Sequence, residues 1–409
     1  MKQKHVIIVG GGASGLVAAI TAAREGARVT LIEQKDRLGK KILSTGNGRC
    51  NLTNEYMNPD CFRGDDTEIV SAVLKQFGYQ ETISFFEELG VILKNRQGYI
   101  YPITDQASTI LDVLCMEVSR MGINVLLEQS VTGIAHTSKG FLIRTNKSTQ
   151  HGDAVILATG GKAAPALGSD GSGYSLVKGF GHRLSPVVPA LVQLKGKGNF
   201  FKQIAGVRTN AKVTLLVEGE TVSSDTGELQ LTNYGISGIP VFQVSRYAAK
   251  GLYEKKKVTA EVDFLPVMSD EEFVSFLKKR IEKHGDKHAE DFLVGVFHQK
   301  LIGLLLKIAR IPSNLNASEI TEQQMQLFLK LAKHFIVEIE GTNDFEQAQI
   351  CAGGVRTTEI NSSTMESLLA KDLYLTGELL DIDGICGGYN LQWAWATGYI
   401  AGKNAAKGR

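Results

Sequence analysis

Three glycines near the start of the sequence have the spacing of a nucleotide-binding turn. Gly10, Gly12 and Gly15 form the pattern GxGxxG. The first glycine permits a tight turn, the second lets the backbone approach a pyrophosphate, and the third lets a helix pack closely on a strand. Glu33 lies 18 residues beyond Gly15, where a carboxylate accepts hydrogen bonds from a ribose diol and repels a 2′-phosphate. These residues predict a site for NAD or FAD, not for NADP.

A second group of small and polar residues follows in LGKKILSTGNGRCNLTN, residues 38–54. This segment shows neither helical nor strand periodicity, so an irregular loop is predicted. Its glycines, asparagines and hydroxyl residues offer backbone N–H groups and small amides, as a long ligand with several carbonyl and hydroxyl groups requires. In an NAD dehydrogenase the chain after the ribose acid continues into another strand and helix, so the loop favours FAD.

Two further glycine-rich turns are expected to reach the same place. AVILATGG, residues 154–161, is a buried strand followed by small residues, and the segment 373–390 places Glu378, Gly387 and Gly388 between a strand and a helix. The carboxyl ends of parallel strands meet at one edge of a sheet. Four such turns therefore predict FAD, with Glu378 near the ribitol and the N-terminus of the last helix at the flavin pyrimidine carbonyl, where it stabilises negative charge.

The elements that position these residues alternate between strand and helix. An apolar run at 5–9, a helical pattern at 16–25 and a strand at 28–32 form a βαβ unit, typical of a doubly wound Rossmann-like domain. The last helix is predicted from about Leu391 to Asn404. Its two tryptophans are two residues apart and cannot share a face, and one of them is expected in the core.

The pattern changes in the middle of the chain. Period-two hydrophobicity from about Pro189 to Phe264 indicates a β domain. The capping-box sequences SDEE and TEQQ, at Ser269 and Thr321, then open amphipathic helices. We predict an α/β fold with a discontinuous FAD-binding domain and two inserts. The predicted bounds are 1–190 and 347–409 for the FAD-binding domain, 191–268 and about 336–346 for the β insert, and 269–335 for the helical insert.

Composition and charge argue against several other classes of protein. The 409 residues carry a formal charge of +2, too small to hold the protein on nucleic acid or an anionic membrane. Five cysteines without CxxC spacing fit neither a disulfide scaffold nor a zinc ribbon, and no metal site is predicted.

No apolar run approaches the roughly 18 residues of a membrane span, and the first strand begins too early for a signal peptide. We expect a cytoplasmic protein with a small-molecule partner. Its oligomeric state is left open.

Several motifs together resemble one family. GGGASGLVAAITAAREGARVTLIEQ is similar to the FAD-binding opening of the glutathione-reductase and fumarate-reductase flavoproteins. GKKILSTGNGRCNLTN, LTNYGISG, CAGGVRTTEI and TGELLDIDGICGGYNLQWAWATGYIAG resemble, in order along nearly the whole chain, the BaiN-type bacterial flavoproteins. That family includes proteins described as aminoacetone oxidases and as reductases of 3-oxo bile-acid enones. The resemblance implies an insert domain like a β-barrel, with a helical domain inside it.

The resemblance also implies a set of FAD-binding residues. Those on the adenosine and pyrophosphate are Gly10, Gly12, Ala13, Ser14, Gly15, Glu33 and Gln34. Those from the phosphates to the flavin ring are Lys40, Lys41, Thr45, Gly46, Asn47, Gly48, Arg49, Cys50 and Asn51. Val131 is implied at the adenine, and Thr159 and Gly160 along the middle. Those at the flavin end are Gly377, Glu378, Gly388, Tyr389 and Asn390.

The catalytic residues are less well marked. Flavin N5 exchanges a hydride, so the protein has to orient the substrate and exchange a proton. The candidates for a proton donor, or for a cation that polarises a carbonyl, are Arg96, Tyr99, Tyr101, Tyr234 and Arg356. Tyr99 and Tyr101 replace an arginine and a phenylalanine of the family pattern. Cys50 is expected to be a packed residue instead of a redox thiol, because no partner cysteine lies nearby.

Three functions remain open at this point. No second GxGxxG unit exists for a nicotinamide donor. The resemblance favours reduction of an activated double bond by NADH or NADPH acting directly at the flavin. The alternatives are an amine oxidase that produces hydrogen peroxide, and a non-catalytic flavoprotein that senses redox state or binds RNA.

Overall fold

The computed structural model describes residues 3–407, which form two compact units. The first unit combines the residues up to Val187 with those from Gln349 onward, and the second unit is Val188–Ala348. The first unit therefore contains all four glycine-rich segments of the sequence.

A five-stranded parallel sheet forms the centre of the first unit. Ile7 pairs with Val155 on one side and with Thr30 on the other. Every residue of the strands His5–Val9 and Ala154–Leu157 is buried, as expected for parallel strands covered on both faces. The order of strands across the sheet is Leu373–Leu375, Ala154–Leu157, His5–Val9, Arg28–Ile32 and Asn124–Leu126.

The first and last helices of this unit pack against each other at backbone distance. A Cβ on Gly398 would clash with the carbonyl oxygen of Ser14, and one on Gly402 would approach that of Ala18. Both tryptophans of the last helix, Trp393 and Trp395, are buried. One core tryptophan was predicted; the second is buried as well, because this helix is covered on more than one side.

Other helices and small sheets complete the first unit. Its helices are Ala13–Arg24, Glu68–Gln76, Tyr79–Glu88, Ala107–Arg120, Ser172–Lys178 and Tyr389–Ala406. Its antiparallel strands are Thr149–Gly152 with Gly140–Thr145 and Val131–Thr137, Thr53–Asn54 with Tyr99–Pro102 and Leu93–Arg96, and Phe62–Arg63 with Asp383–Gly384. A further strand is Ile350–Ala352.

The second unit contains a closed six-stranded antiparallel barrel. Alternate residues such as Val213, Leu215, Ala260 and Val262 are fully buried, which explains the period-two pattern of the sequence. The order of strands around the barrel is Leu194–Gly196, Gly235–Gly238, Glu220–Leu231, Arg208–Val217, Val258–Asp263 and Phe335–Thr342. The strand Val188–Ala190 lies outside the barrel.

Helices make up the rest of the second unit. Their bounds are Phe201–Ile204, Ile239–Tyr253, Asp270–His284, Ala289–Phe292, Gln299–Ile308 and Glu322–Lys333. Both capping boxes are confirmed: Ser269 and Glu272 bond each other's backbone N–H groups, and so do Thr321 and Gln324. Within residues 3–407, no helix has both the length and the apolar character needed to cross a membrane.

Candidate functional site

A cavity in the first unit lies at the carboxyl edge of the parallel sheet. Val9, Ile32 and Ala158, at the ends of three strands, contribute to its wall. Residues from all four glycine-rich segments of the sequence meet here. The cavity-lining residues among the predicted set are Gly10, Gly12, Ala13, Ser14, Glu33, Gln34, Lys40, Lys41, Thr45, Val131, Thr159, Gly160, Glu378 and Asn390.

The first glycine turn has the geometry that a dinucleotide requires. Gly10 has a φ of +103°, and a Cβ there would clash with the backbone of Ala158. A Cβ on Gly15 would clash with the Gly10 carbonyl, so the first helix packs closely on the turn. A Cβ on Gly12 would meet no protein atom within 4 Å. The space beside Gly12 is therefore open for a ligand.

The start of the first helix supplies an anion-binding surface to the cavity. Ala13 and Ser14 are its first residues, and both line the cavity. The N–H groups of a first helical turn have no partner within the helix, and the helix dipole favours negative charge near them. Among the residues that the structure describes, 3–407, no side chain caps this helix. The arrangement fits the pyrophosphate of FAD.

Glu33 is held in place by two backbone N–H groups. Its Oε2 accepts a hydrogen bond from Gly11 N at 2.7 Å, and its Oε1 accepts one from Lys35 N at 2.8 Å. Burial raises the pKa of this carboxyl group, while the bonds from the Lys35 and Gly11 backbones act in the opposite direction. Each carboxylate oxygen has a second lone pair, so Glu33 retains acceptors for a ribose diol.

A turn that no predicted site residue covered also lines the cavity. Gln34 Nε2 donates to Gly168 O at 2.7 Å, which places the turn beside Glu33. Ser169 is 5% exposed, and its Oγ has no hydrogen-bond partner among residues 3–407. A buried hydroxyl without a partner is costly unless a ligand supplies one. The residues of this turn that line the cavity are Gly168, Ser169, Asp170 and Ser172.

The sequence signal that could have indicated this turn is the run of small residues in SDGSGY, residues 169–174. That run does not show which residue contacts the ligand. Gln129 and Ser130 were missed as well, and they line the cavity beside Val131. On the apolar side of the wall, Leu391, Trp393 and Ala394 of the last helix were also missed.

The Glu378 carboxylate, at another part of the cavity wall, is held in one orientation by two neighbours. Lys41 Nζ lies 2.7 Å from Glu378 Oε2, and the Cys351 backbone N–H donates to Glu378 Oε1 at 2.7 Å. Burial raises the pKa of the Cys351 thiol to about 12, and the nearby Glu378 charge acts in the same direction. Cys351 is therefore neutral at physiological pH. The carboxylate of Glu378 is oriented before any ligand is bound.

The loop after Thr45 has an unusual backbone. Asn47 and Cys50 have φ values of 55° and 57°, in the left-handed region that residues other than glycine rarely occupy. Such conformations concentrate at functional sites. Cys50 is fully buried, and burial raises its pKa to about 12. It stays a thiol at neutral pH, as a packed residue would.

Ten residues of the predicted FAD-binding set do not line the cavity; the FAD contacts of the whole set stay predictions. The ten residues are Gly15, Gly46, Asn47, Gly48, Arg49, Cys50, Asn51, Gly377, Gly388 and Tyr389. Gly388 begins the last helix with a φ of 94°, and the hydroxyl group of Tyr389 donates to Tyr56 O at 2.9 Å.

The catalytic candidates lie outside the cavity wall. Arg96, Tyr99 and Tyr101 belong to one hairpin of the first unit. Arg356 is an exposed residue of the same unit. Tyr234 belongs to the second unit, where its hydroxyl group accepts a hydrogen bond from Asn343 Nδ2 at 2.9 Å. All five stay candidates.

Comparison with known proteins identifies the family of this chain. The sequence model of the HI0933-like protein Rossmann domain matches residues 4–404. The chain belongs to the HI0933-like family. A 3-dehydro-bile acid delta(4,6)-reductase of Clostridium scindens is 53% identical over 99% of this chain and 100% of its own length. A ribosomal RNA dihydrouridine synthase of Escherichia coli is 28% identical over 99% of this chain and 98% of its own length.

Solved structures agree with this HI0933-like architecture. A 3-ketosteroid delta1-dehydrogenase from Sterolibacterium denitrificans has a TM-score of 0.50 at 12% identity, covering 99% of this chain and 100% of its own. At this identity the likeness concerns the fold alone. The family and the full-length relative from Clostridium scindens identify the protein as an FAD-dependent oxidoreductase.

Proposed function

We propose that this enzyme reduces a carbon–carbon double bond conjugated to a carbonyl group in a small molecule, with NADH or NADPH as electron donor. The observation that carries the proposal is the 53% identity, over essentially the whole of both chains, to a 3-dehydro-bile acid delta(4,6)-reductase. Because NADH and NADPH are cytoplasmic metabolites, the proposal places the enzyme in the cytoplasm.

The proposed reaction needs a hydride, a proton and a polarised carbonyl group. When bound, FAD would supply the hydride chemistry, taking two electrons from the dihydronicotinamide and passing them to the β-carbon of the acceptor. A proton reaches the α-carbon from water or a side chain. The products are a saturated carbonyl compound and NAD⁺ or NADP⁺, so atoms and electrons balance.

The last helix would stabilise the negative charge that develops at the flavin end. It spans Tyr389–Ala406, and Asn390 and Leu391 of its first turn line the cavity. Asn390 is locked because its Oδ1 accepts from Gly384 N and its Nδ2 donates to Gly384 O, both at 2.8 Å. The positive end of the helix dipole is thereby held at the cavity wall.

Half-reactions measured without oxygen test the proposal. NADH or NADPH is expected to bleach the flavin absorbance, and a steroidal 3-oxo-4-ene is then expected to restore it with formation of the saturated ketone. If no donor bleaches the flavin and amines do so instead, with peroxide formed in air, the enzyme is an oxidase and the proposal fails.

A second candidate function is reduction of uracil in ribosomal RNA. The dihydrouridine synthase of Escherichia coli matches over 98% of its length, and the C5–C6 double bond of uracil is conjugated to a carbonyl group. Deletion of the gene would then remove dihydrouridine from the ribosomal RNA of the host. Unchanged dihydrouridine content would leave the small-molecule activity as the better proposal.

A further inference from the structure

A short hairpin of the first unit presents four polar side chains on one face. Its strands are Leu93–Arg96 and Tyr99–Pro102. Lys94 pairs with Tyr101, and Arg96 pairs with Tyr99. Directly paired residues, and residues two apart along a strand, project to the same face. The opposite face contains Ile100, which is buried. Below, Lys94, Arg96, Tyr99 and Tyr101 are called the hairpin face.

The hairpin face lies beside two segments that the sequence assigns to the flavin end. A Cβ placed on Gly46 would be 3.7 Å from Tyr101 Cε1, and one placed on Gly387 would be 3.1 Å from Tyr99 Cε1. Gly46 directly follows Thr45 of the cavity wall, and Gly387 lies three residues before Asn390 of that wall. The Tyr101 ring therefore borders the segment that contains Gly46, and the Tyr99 ring borders the segment that contains Gly387.

This region has an excess of positive charge. Asp105 Oδ2 lies 2.6 Å from Lys94 Nζ and 2.7 Å from an Arg96 terminal nitrogen. The hydrogen bond from Lys94 holds the pKa of Asp105 below its usual value, and the charges of Arg96 and Arg49 act in the same direction. One carboxylate thus faces three cations, and the local net charge is positive.

The two arginines have donors available for a ligand. Arg49 is exposed and makes no side-chain hydrogen bond or ion pair in the described part of the chain, residues 3–407. The Arg96 side chain is 45% exposed and uses one terminal nitrogen for Asp105. A guanidinium group has five N–H donors and binds phosphate through two of them at once.

We propose that the hairpin face, together with Arg49, is the anion-binding subsite that receives the phosphate groups of NADH or NADPH at the flavin end. The inference rests on the proposed function, which needs such a donor. A dinucleotide carries two negative charges on its diphosphate, matching the excess of positive charge here. The GxGxxG turn is used by FAD, and the sequence has no second one, so the phosphates of the donor require side-chain cations. The exposed ring of Tyr99 offers a flat surface for a nicotinamide or adenine ring, whereas the Arg96 guanidinium lies over the Tyr101 ring, 5.7 Å from its centroid.

An acidic acceptor would present the same anionic chemistry, so the test separates the two half-reactions. The FAD-loaded wild type is compared with Arg96→Gln, Arg49→Gln and the double variant. Arg120→Gln is the matched control, because Arg120 is an exposed arginine of the same unit that also pairs with one carboxylate, Glu117, at 2.7 Å. Flavin bleaching by NADH and NADPH is followed without oxygen, which gives the Kd of the donor and the limiting rate.

Each single variant is expected to raise the Kd of the donor about threefold to tenfold, the effect of one partly exposed charge-assisted contact. Flavin content is measured for every variant, because Arg49 also belongs to the predicted FAD-binding set, and the donor Kd is compared among FAD-loaded proteins. Arg120→Gln is expected to behave as wild type. Added salt is expected to weaken donor binding by the wild type more than by the double variant.

Two outcomes overturn the inference. One is an unchanged donor Kd in both single variants. The other is a defect confined to reoxidation of the reduced enzyme by an acidic acceptor, which would assign the subsite to the acceptor. If no donor bleaches the wild type, the proposed function fails. Binding of NAD⁺ and NADP⁺ to the oxidised enzyme, followed by flavin fluorescence in all variants, then still decides whether the hairpin face binds the dinucleotide.

Discussion

Gly12 shows how one residue type keeps a ligand site open. Because a Cβ at this position meets no protein atom within 4 Å, the isopropyl group of Gly12→Val would occupy ligand space without a clash inside the fold. We expect the variant to fold but to lose FAD, measured as flavin absorbance released on denaturation. The matched control is Gly133→Val, since Gly133 also faces open space but lies outside the cavity wall. A fully yellow Gly12→Val protein would contradict the assignment.

Cys50 tests whether the loop beside the cavity contains a redox thiol. The side chain is fully buried and its pKa is raised to about 12 by burial, so almost no thiolate exists at pH 8. We expect iodoacetamide to leave Cys50 unmodified in the FAD-loaded enzyme while the partly exposed Cys115 is labelled, as read by peptide mass spectrometry. Labelling of Cys50 before the protein unfolds would show that this thiol is accessible and reactive.

For the residues of the site, prediction from sequence succeeded where the signal was local and failed where contacts join distant parts of the chain. Gly10, Gly12 and Glu33 could be found because their spacing along one βαβ unit is local. The bond from Cys351 N to Glu378 joins residues 27 apart, and Gln34 reaches Gly168 across 134 residues. Contacts of this kind depend on which turns the folded chain brings together, and no local pattern encodes them.

At the scale of elements, a buried lysine joins a helix to the loop after a barrel strand in the second unit. Lys333 Nζ donates to Asp263 Oδ2 at 2.7 Å, to Leu265 O at 2.9 Å and to Met268 O at 2.6 Å. Its side chain is only 5% exposed. Lys333→Met would leave three acceptors without this donor.

We expect Lys333→Met to lower the free energy of unfolding by about 3 kcal/mol, because an unpaired carboxylate remains in a largely buried position. Urea denaturation of the full-length protein measures this change. The double variant Lys333→Met with Asp263→Leu is expected to recover part of the loss. A loss below about 0.5 kcal/mol, the range of an ordinary surface substitution, would show that the network contributes little.

The neighbouring His334 gives the second unit a dependence on pH. Its ring nitrogens lie 2.8 Å from Asp270 Oδ2 and 3.0 Å from Glu261 Oε1. The hydrogen bond to Asp270, followed by that to Glu261, raises its pKa above the ordinary value. The stabilisation is therefore complete below the unfolded pKa, near 6.5, and is lost as pH rises through the folded pKa.

We expect His334→Ala to be less stable than wild type at pH 6, by less than about 1 kcal/mol because the side chain is partly exposed. The difference is expected to shrink by pH 9. Urea midpoints at several pH values measure it. A difference that does not change with pH would mean that the protonated ring is not the source of the stabilisation.

Prediction of the elements succeeded where the signal was short-range. Both capping boxes were readable because the bonded groups are three residues apart. The last helix was harder, because spacing showed that its two tryptophans cannot share a face but not that both faces are covered. The barrel was implied by the family resemblance and is confirmed. The local pattern could not show its closure, since Leu194 pairs with Thr342, far along the chain.

At the scale of the whole molecule, the cavity wall belongs entirely to the first unit. Removal of FAD is therefore expected to raise amide hydrogen exchange in that unit, since a ligand stabilises the part of the structure that binds it. The strand Ala154–Leu157 and the turn after it are expected to respond, while the barrel strand Arg208–Val217 keeps its protection. Equal deprotection of both strands would show that the two units unfold together.

The close backbone packing between the first and last helices has a consequence for how the enzyme acquires its cofactor. Gly398 and Gly402 lie against the backbone of Ser14 and Ala18, and Asn390 and Ala394 contribute to the cavity wall. During translation, the GxGxxG turn leaves the ribosome at least 375 residues before these partners, since Gly15 and Asn390 are 375 positions apart. The flavin site is thus completed only after the second unit has been made, so FAD capture is a late event in the life of each new chain.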